Sequence, residues 1–135
     1  MTAEPSMTVP CLMRELPATP GNVAELRQGV RAFAAANGAE PDALASIVLA
    51  VSEAATNAVV HAYREREPGV VRIEADIEDG TIEVVVADDG GGFTDASVPG
   101  LGFGLAFMSE GALAFEVRDR PTGGVEVWMR FPLAA

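Results

Sequence analysis

The stretch from Pro41 to about Tyr63 constrains this fold more than any other. It reads as one long helix, with Pro41 where a helix start tolerates proline. Leu44, Ile47, Val48, Val51, Ala55, Ala58 and Ala62 fall on one stripe of the helical wheel, the stripe that must be buried. Inside this apolar run stand three polar residues four apart, Glu53, Asn57 and His61. Each step of four advances only about 40°, so the three descend one flank of the helix. Asn57 and His61 lie at the edge of the apolar stripe and Glu53 lies further out. Their neighbours Ala50 and Ala54 are small, which leaves room for a ligand beside a carboxylate and an amide. The helix alone leaves open the plainer reading, a polar flank that merely meets water.

The rest of the chain supplies a sheet for that helix. Met7 to Leu16 reads as a first strand, interrupted by Pro10 and therefore at an edge. Thr19-Pro20-Gly21-Asn22 is a turn with a capping residue, and Val23 to Asn37 is a helix stopped by Asn37-Gly38. After the polar connection 64–69 come strands Val70–Ile77 and Thr81–Asp88, joined by Glu78-Asp79-Gly80, a strong hairpin signal. Val71, Ile73, Ala75 and Ile77 alternate with Arg72, Glu74 and Asp76, so one face of the sheet is wet. Ile82, Val84 and Val86 share their face with Asp88, which points that aspartate toward the helices, where a carboxylate needs a partner. Leu105–Ser109 reads as a short helix, Ala112–Arg118 and Val125–Phe131 as strands with a turn at 121–124 between them. Two helices before a meander of strands with one wet face make an α+β two-layer sandwich, its mixed or antiparallel sheet covered by helices on one face.

At 135 residues this is one domain, residues 7–135, behind a flexible lead-in over 1–6. The N-terminus lacks the order of a signal peptide, and no run approaches the ~18 apolar residues of a membrane span. The lone Cys11 rules out an internal disulfide, suits a reducing cytoplasm and is expected to be buried. A net charge of −11 argues against nucleic acid. All nine basic residues are arginine, which excludes a P-loop NTPase and a eukaryotic-type protein kinase, both of which need a lysine on the phosphates.

Between Asp88 and Gly104 the chain is rich in glycine and carries no basic residue. Asp88-Asp89-Gly90-Gly91-Gly92-Phe93 ends a strand, and Gly100-Leu101-Gly102-Phe103-Gly104-Leu105 runs into a helix start. Glycines let backbone approach a ligand closely, and a helix N-terminus holds phosphate without lysine. A buried carboxylate can accept a hydrogen bond from an exocyclic amine, and an asparagine oxygen can help hold Mg²⁺ on phosphates. The second glycine run is not a dinucleotide fingerprint, because no strand precedes it. Together with the helix flank, these parts would hold a nucleoside triphosphate.

In this order the segments resemble the GHKL ATPase superfamily, the Bergerat fold, and more closely the small bacterial anti-sigma-factor serine/threonine kinases. The resemblance covers roughly Val9 to Phe131. Glu53 to Tyr63 is similar to the family's N-box, Val86 to Phe93 to its first glycine box and Gly100 to Leu105 to its second. Gly123-Gly124-Val125 stands where the family has its final strand. The resemblance implies ATP and Mg²⁺ as cofactors. It implies Asn57 as metal ligand, Asp88 on the adenine amino group, Gly90 and Gly92 lining the base pocket, and Gly100, Gly102, Gly104 and Leu105 on the phosphates. Glu53 is implied as the general base toward a serine or threonine hydroxyl of a partner, one helical turn from Asn57. His61 matches the box without an assigned chemistry beyond capping or packing. The implied partners are a sigma factor and a STAS-like anti-sigma-factor antagonist, and the implied state is a cytoplasmic homodimer.

The chain also departs from the family. Only Thr94 to Pro99 separates the glycine boxes, without arginine, and Val125 replaces a threonine common near the adenine. These departures keep a rival in play, an ATP-gated binding module without phosphotransfer. A histidine-kinase catalytic domain acting in trans ranks lower, because His61 sits inside the nucleotide motif. A purely structural domain that has lost nucleotide is the last alternative.

Overall fold

The computed structural model describes residues 10–65, 69–89, 111–119 and 124–134. Strand β1 (Cys11–Pro17) is followed by α1 (Pro20–Ala36) and α2 (Pro41–Glu65), then β2 (Val70–Glu78), β3 (Thr81–Asp88), β4 (Ala114–Asp119) and β5 (Val125–Pro132). The strands form one antiparallel sheet in the order β1-β2-β3-β5-β4. Both helices pack against each other, α1 against β1 and α2 across β2, β3 and β5. This is the expected α+β sandwich. Asp79 and Gly80 both adopt positive φ, 50° and 76°, as a two-residue hairpin turn between twisted strands requires.

The core lies between the layers and follows the alternation of the strands. Val71, Ile73 and Ala75 of β2, Ile82, Val84 and Val86 of β3, and Val127, Met129 and Phe131 of β5 are buried against Leu26, Val30, Ile47 and Val51. Each large side chain sealed here contributes about 1.5–3 kcal/mol. Pro41–Val60 of α2 is long and apolar enough, by length and composition, to cross a membrane, contrary to the expectation that no such run exists. In this fold that stretch is the central core helix, with Ala43, Ile47, Ala50, Val51, Ala54, Ala55, Ala58 and Val59 buried.

The direction of α2 decides where its residues act. Glu40, just before the helix, donates its backbone N–H to the Leu133 carbonyl at 2.8 Å, which anchors the helix start at the C-terminal end of β5. The helix then runs the length of the sandwich, and four residues separate Glu65 from Val70 at the start of β2. Val71 pairs with Asp88, so the start of β2 and the end of β3 lie together. The late turns of α2 and the end of β3 therefore share one end of the molecule.

Several boundaries and two packing expectations shift. Helix α1 begins at Pro20 instead of Val23, since proline suits a first turn; Thr19 takes the N-cap position with no side-chain cap bond. Strand β4 starts at Ala114, two residues later than expected. Cys11 is exposed, not buried. It begins an edge strand in which the alternate residues Leu12 and Leu16 pack on the core, so Cys11 and Met13 take the other face. Ala50 and Ala54, expected to leave space beside Glu53 and Asn57, are 0 % and 2 % exposed and pack into the core, because small residues let the helix sit close to the sheet. The lead-in 1–6, the start of the first strand at Met7, the turn residues 121–123 and the short helix Leu105–Ser109 lie outside the described residues.

Candidate functional site

Asp88 is the last residue of β3, and the period of the strand turns it inward with Ile82, Val84 and Val86. It is 6 % exposed and is the one buried charged residue among those described. Burial of a carboxylate is costly unless polar partners meet it, and Asp88 is not left without one. Its backbone is equally confined. Gly124, just before β5 with φ +96°, lies so close that a β-carbon there would collide with the Asp88 carbonyl.

From the helix layer comes Asn57, half-buried on α2. Its Nδ2 atom is buried and has no hydrogen-bond partner. A buried amide group without a partner costs about 1–3 kcal/mol, so a ligand that engages it recovers that loss. The oxygen and nitrogen of an amide exchange by a half-turn of the last torsion, so this position can present an oxygen to a cation. Among the described residues there is no cluster of three or more His, Cys, Asp or Glu side chains fit to hold a metal. A cation here would draw most of its ligands from phosphate and water, which is how Mg²⁺ is commonly held. The residues fit that group. Glu53, half-buried, stands one turn earlier on the same helix, about 6 Å along the axis.

A groove of about 300 Å³ runs between the helices, lined by Pro20, Val23, Arg27, Thr56, Val59 and Val60 among others. Thr56 is three residues beyond Glu53, hence its neighbour on the helix surface. Val60 is 46 % exposed, an apolar side chain open to a partner.

Three of the sequence-selected residues, Glu53, Asn57 and Asp88, are thus placed between or beside the layers, with Asn57 and Asp88 toward the same end. Gly90, Gly92, Gly100, Gly102, Gly104 and Leu105 lie outside the described residues, as does the side chain of His61. Two residues to which the sequence pattern assigns no role prove tightly involved. Asp89 accepts a hydrogen bond from the Val70 N–H at 3.1 Å through Oδ1. Gly69 leaves the space that the Asp89 carboxylate fills. The signal for the first was the Asp88-Asp89 doublet itself; for Gly69 no local signal separates it from an ordinary turn glycine.

A two-layer α+β sandwich with a buried carboxylate at a strand end and a buried, unpartnered amide nitrogen on the helix layer has polar groups of the kind a nucleotide site needs. Comparison with known families agrees: the family model described as a histidine kinase-like ATPase domain matches residues 16–131. The chain belongs to the histidine-kinase-like ATPase domain family. An anti-sigma F factor of Clostridium beijerinckii (strain ATCC 51743 / NCIMB 8052) is 34 % identical over 118 residues, 78 % of this chain and 82 % of that protein. Another, of Clostridium botulinum (strain Eklund 17B / Type B), is 39 % identical over 74 residues, 55 % of this chain and 52 % of that protein. The serine-protein kinase RsbW of Bacillus subtilis (strain 168) is 39 % identical over 79 residues, 58 % of this chain and 49 % of that protein. The chain thus spans about half the length of the last two relatives. A crystal structure of the RsbU and RsbW domains of a Mycobacterium tuberculosis protein superposes with a TM-score of 0.73 at 26 % identity, covering 91 % of this chain and 32 % of that one.

Proposed function

We propose that this chain is an anti-sigma factor that uses ATP to phosphorylate a serine or threonine of a STAS-like anti-sigma-factor antagonist. The observations that carry the reading are a buried carboxylate, Asp88, at the end of β3 and a buried amide nitrogen without a partner, that of Asn57, late in α2, in a sandwich whose family is an ATPase domain. Asp88 accepts a hydrogen bond from the 6-amino group of adenine. Asn57 holds Mg²⁺, which when bound neutralises charge on the triphosphate oxygens. Gly90, Gly92, Gly100, Gly102, Gly104 and Leu105 complete the base pocket and the phosphate cradle in this reading.

Glu53 takes the proton from the partner's hydroxyl as that oxygen attacks the γ-phosphorus and ADP leaves. Positioned general bases are worth about 10²–10⁴ in rate. The groove between the helices, apolar with Arg27 at its wall and Thr56 one turn beyond Glu53, suits the segment of the antagonist that brings the hydroxyl. The sigma factor is the second partner, and cytoplasmic residence follows from it, because sigma factors act with RNA polymerase. A homodimer belongs to the same proposal. Met13, Glu74, Val85 and Trp128 form one row of the outer sheet face, where apolar surface lies open at Met13, 56 % exposed.

The test is incubation with γ-labelled ATP, Mg²⁺ and the antagonist. Label on the antagonist is expected, and Glu53→Ala is expected to bind ATP as before while transfer falls by about 10²-fold or more. A fully active variant removes Glu53 from the chemistry. The rival, an ATP-gated binding module, is favoured by one feature, the short Thr94–Pro99 segment without arginine. It wins if nucleotide binds and the antagonist stays unlabelled.

A further inference from the structure

The antiparallel ladder between β2 and β3 ends at the Val71–Asp88 pair, yet the strands stay joined one step further. There the Val70 N–H donates to the side chain of Asp89, to Oδ1 at 3.1 Å. A side chain has taken the place of a ladder acceptor. The start of β2 that it grips is itself fixed, since the Gly69 carbonyl accepts a 2.9 Å bond from the N–H of Ala18, a fully buried residue. Gly69 has no side chain where the Asp89 carboxylate lies, so any β-carbon there would displace it. From the other side Gly124 presses against the Asp88 carbonyl.

Asp88 and Asp89 therefore divide one task. Successive residues of a strand face opposite sides, so Asp88 turns into the layer interface and Asp89 does not; the Asp89 carboxylate instead meets the Val70 N–H of β2. We propose that Asp89 is a positioning residue for base recognition: by tying the end of β3 to Val70 it fixes the direction of the Asp88 carboxylate, and with it the preference for a 6-aminopurine over a 6-oxopurine. A carboxylate is an acceptor. It matches the amine donor of adenine, and it faces the O6 acceptor of hypoxanthine with no hydrogen between them. Discrimination of this kind depends on a fixed acceptor, because a carboxylate free to turn away leaves the 6-oxo base less penalised. The inference rests on the reading of Asp88 as the adenine acceptor.

The experiment is calorimetric titration of the full chain with ATP and with inosine triphosphate, both with Mg²⁺, alongside hydrogen exchange at the Val70 amide. The wild type is expected to prefer ATP. Asp89→Ala and Gly69→Ala break the same contact from opposite partners; both are expected to speed Val70 exchange and to lower the ATP-to-inosine-triphosphate affinity ratio by about tenfold, equal to about 1.4 kcal/mol. Asp89→Asn keeps an acceptor oxygen and is expected to keep the ratio. An unchanged ratio in Asp89→Ala, with Val70 exchange accelerated, overturns the positioning role while leaving the adenine reading intact. The positioning role falls equally if Asp89→Asn loses as much as Asp89→Ala. A wild type with no preference, or no nucleotide binding, overturns the adenine reading and this inference with it, and does so before any substitution is made.

Discussion

The two ends of the central strand β3 are built by different physics. At its start, Asp79 and Gly80 turn the chain with positive φ, and a β-carbon on Gly80 would meet nothing within 4 Å. That end is set by local turn chemistry and surrounded by water. At its finish, Asp88 is buried and Asp89 bonds to Val70, while Gly69 and Gly124 come so near that side chains on them would collide. That end is set by chain segments distant in sequence. A turn needs only a permissive backbone, whereas a site that must hold one carboxylate in one direction needs neighbours on both sides.

Alanine at one glycine from each end separates the two most strongly. Gly124→Ala combines positive φ with a backbone collision and is expected to cost about 3 kcal/mol or more. Gly80→Ala has positive φ in open space and is expected to cost about 1 kcal/mol. Urea unfolding of both variants measures the gap; equal costs would mean that the Asp88 end is no more confined than the hairpin.

Next in size is Asn57→Ala, on the helix above the confined end. Removing a buried amide nitrogen that has no partner is expected to leave stability unchanged or to raise it by up to about 1 kcal/mol, while Mg²⁺-dependent ATP affinity falls at least about tenfold. Calorimetry and thermal unfolding of the same sample give both numbers. A large loss of stability with unchanged affinity would make Asn57 a packing residue.

The smallest effect belongs to the hairpin end. Asp76 faces the outer side of the sheet, and its pKa is raised above the ordinary 3.8 by burial and then by the charges of Glu83, Glu78 and Glu74. From 3.8 up to that raised value the folded chain binds more protons than the unfolded one, so this group's contribution to stability falls as pH rises. Asp76→Asn is therefore expected to stabilise the chain at neutral pH by about a few tenths of a kcal/mol, because solvent screens so open a cluster. The gain disappears below pH 3.8, which paired unfolding curves at pH 7 and pH 3 would test.

Most of the fold was legible because its signals are local. The alternation of Val71, Ile73 and Ala75, the Asp79-Gly80 turn and the apolar stripe of α2 each act within a few residues. The inward turn of Asp88 was legible for the same reason, as the fourth residue in a period-two series. Features that depend on distant contact were not legible. Ala50 and Ala54 read as room for a ligand and instead let the helix lie close on the sheet. Cys11 read as buried by its residue type, but its place in the alternation of an edge strand turns it outward. Asp89 lies nineteen residues from Val70, the partner it holds, too far for any local pattern to join them, and Gly69 is more distant still.

The deciding measurement is a crystal structure of the chain with Mg²⁺ and a non-hydrolysable ATP analogue. The adenine amino group is expected within hydrogen-bonding distance of the Asp88 carboxylate, and the metal on the triphosphate at the Asn57 amide. An analogue seated elsewhere, or one that leaves Asp88 and the Asn57 amide untouched, would contradict the nucleotide site proposed for this chain.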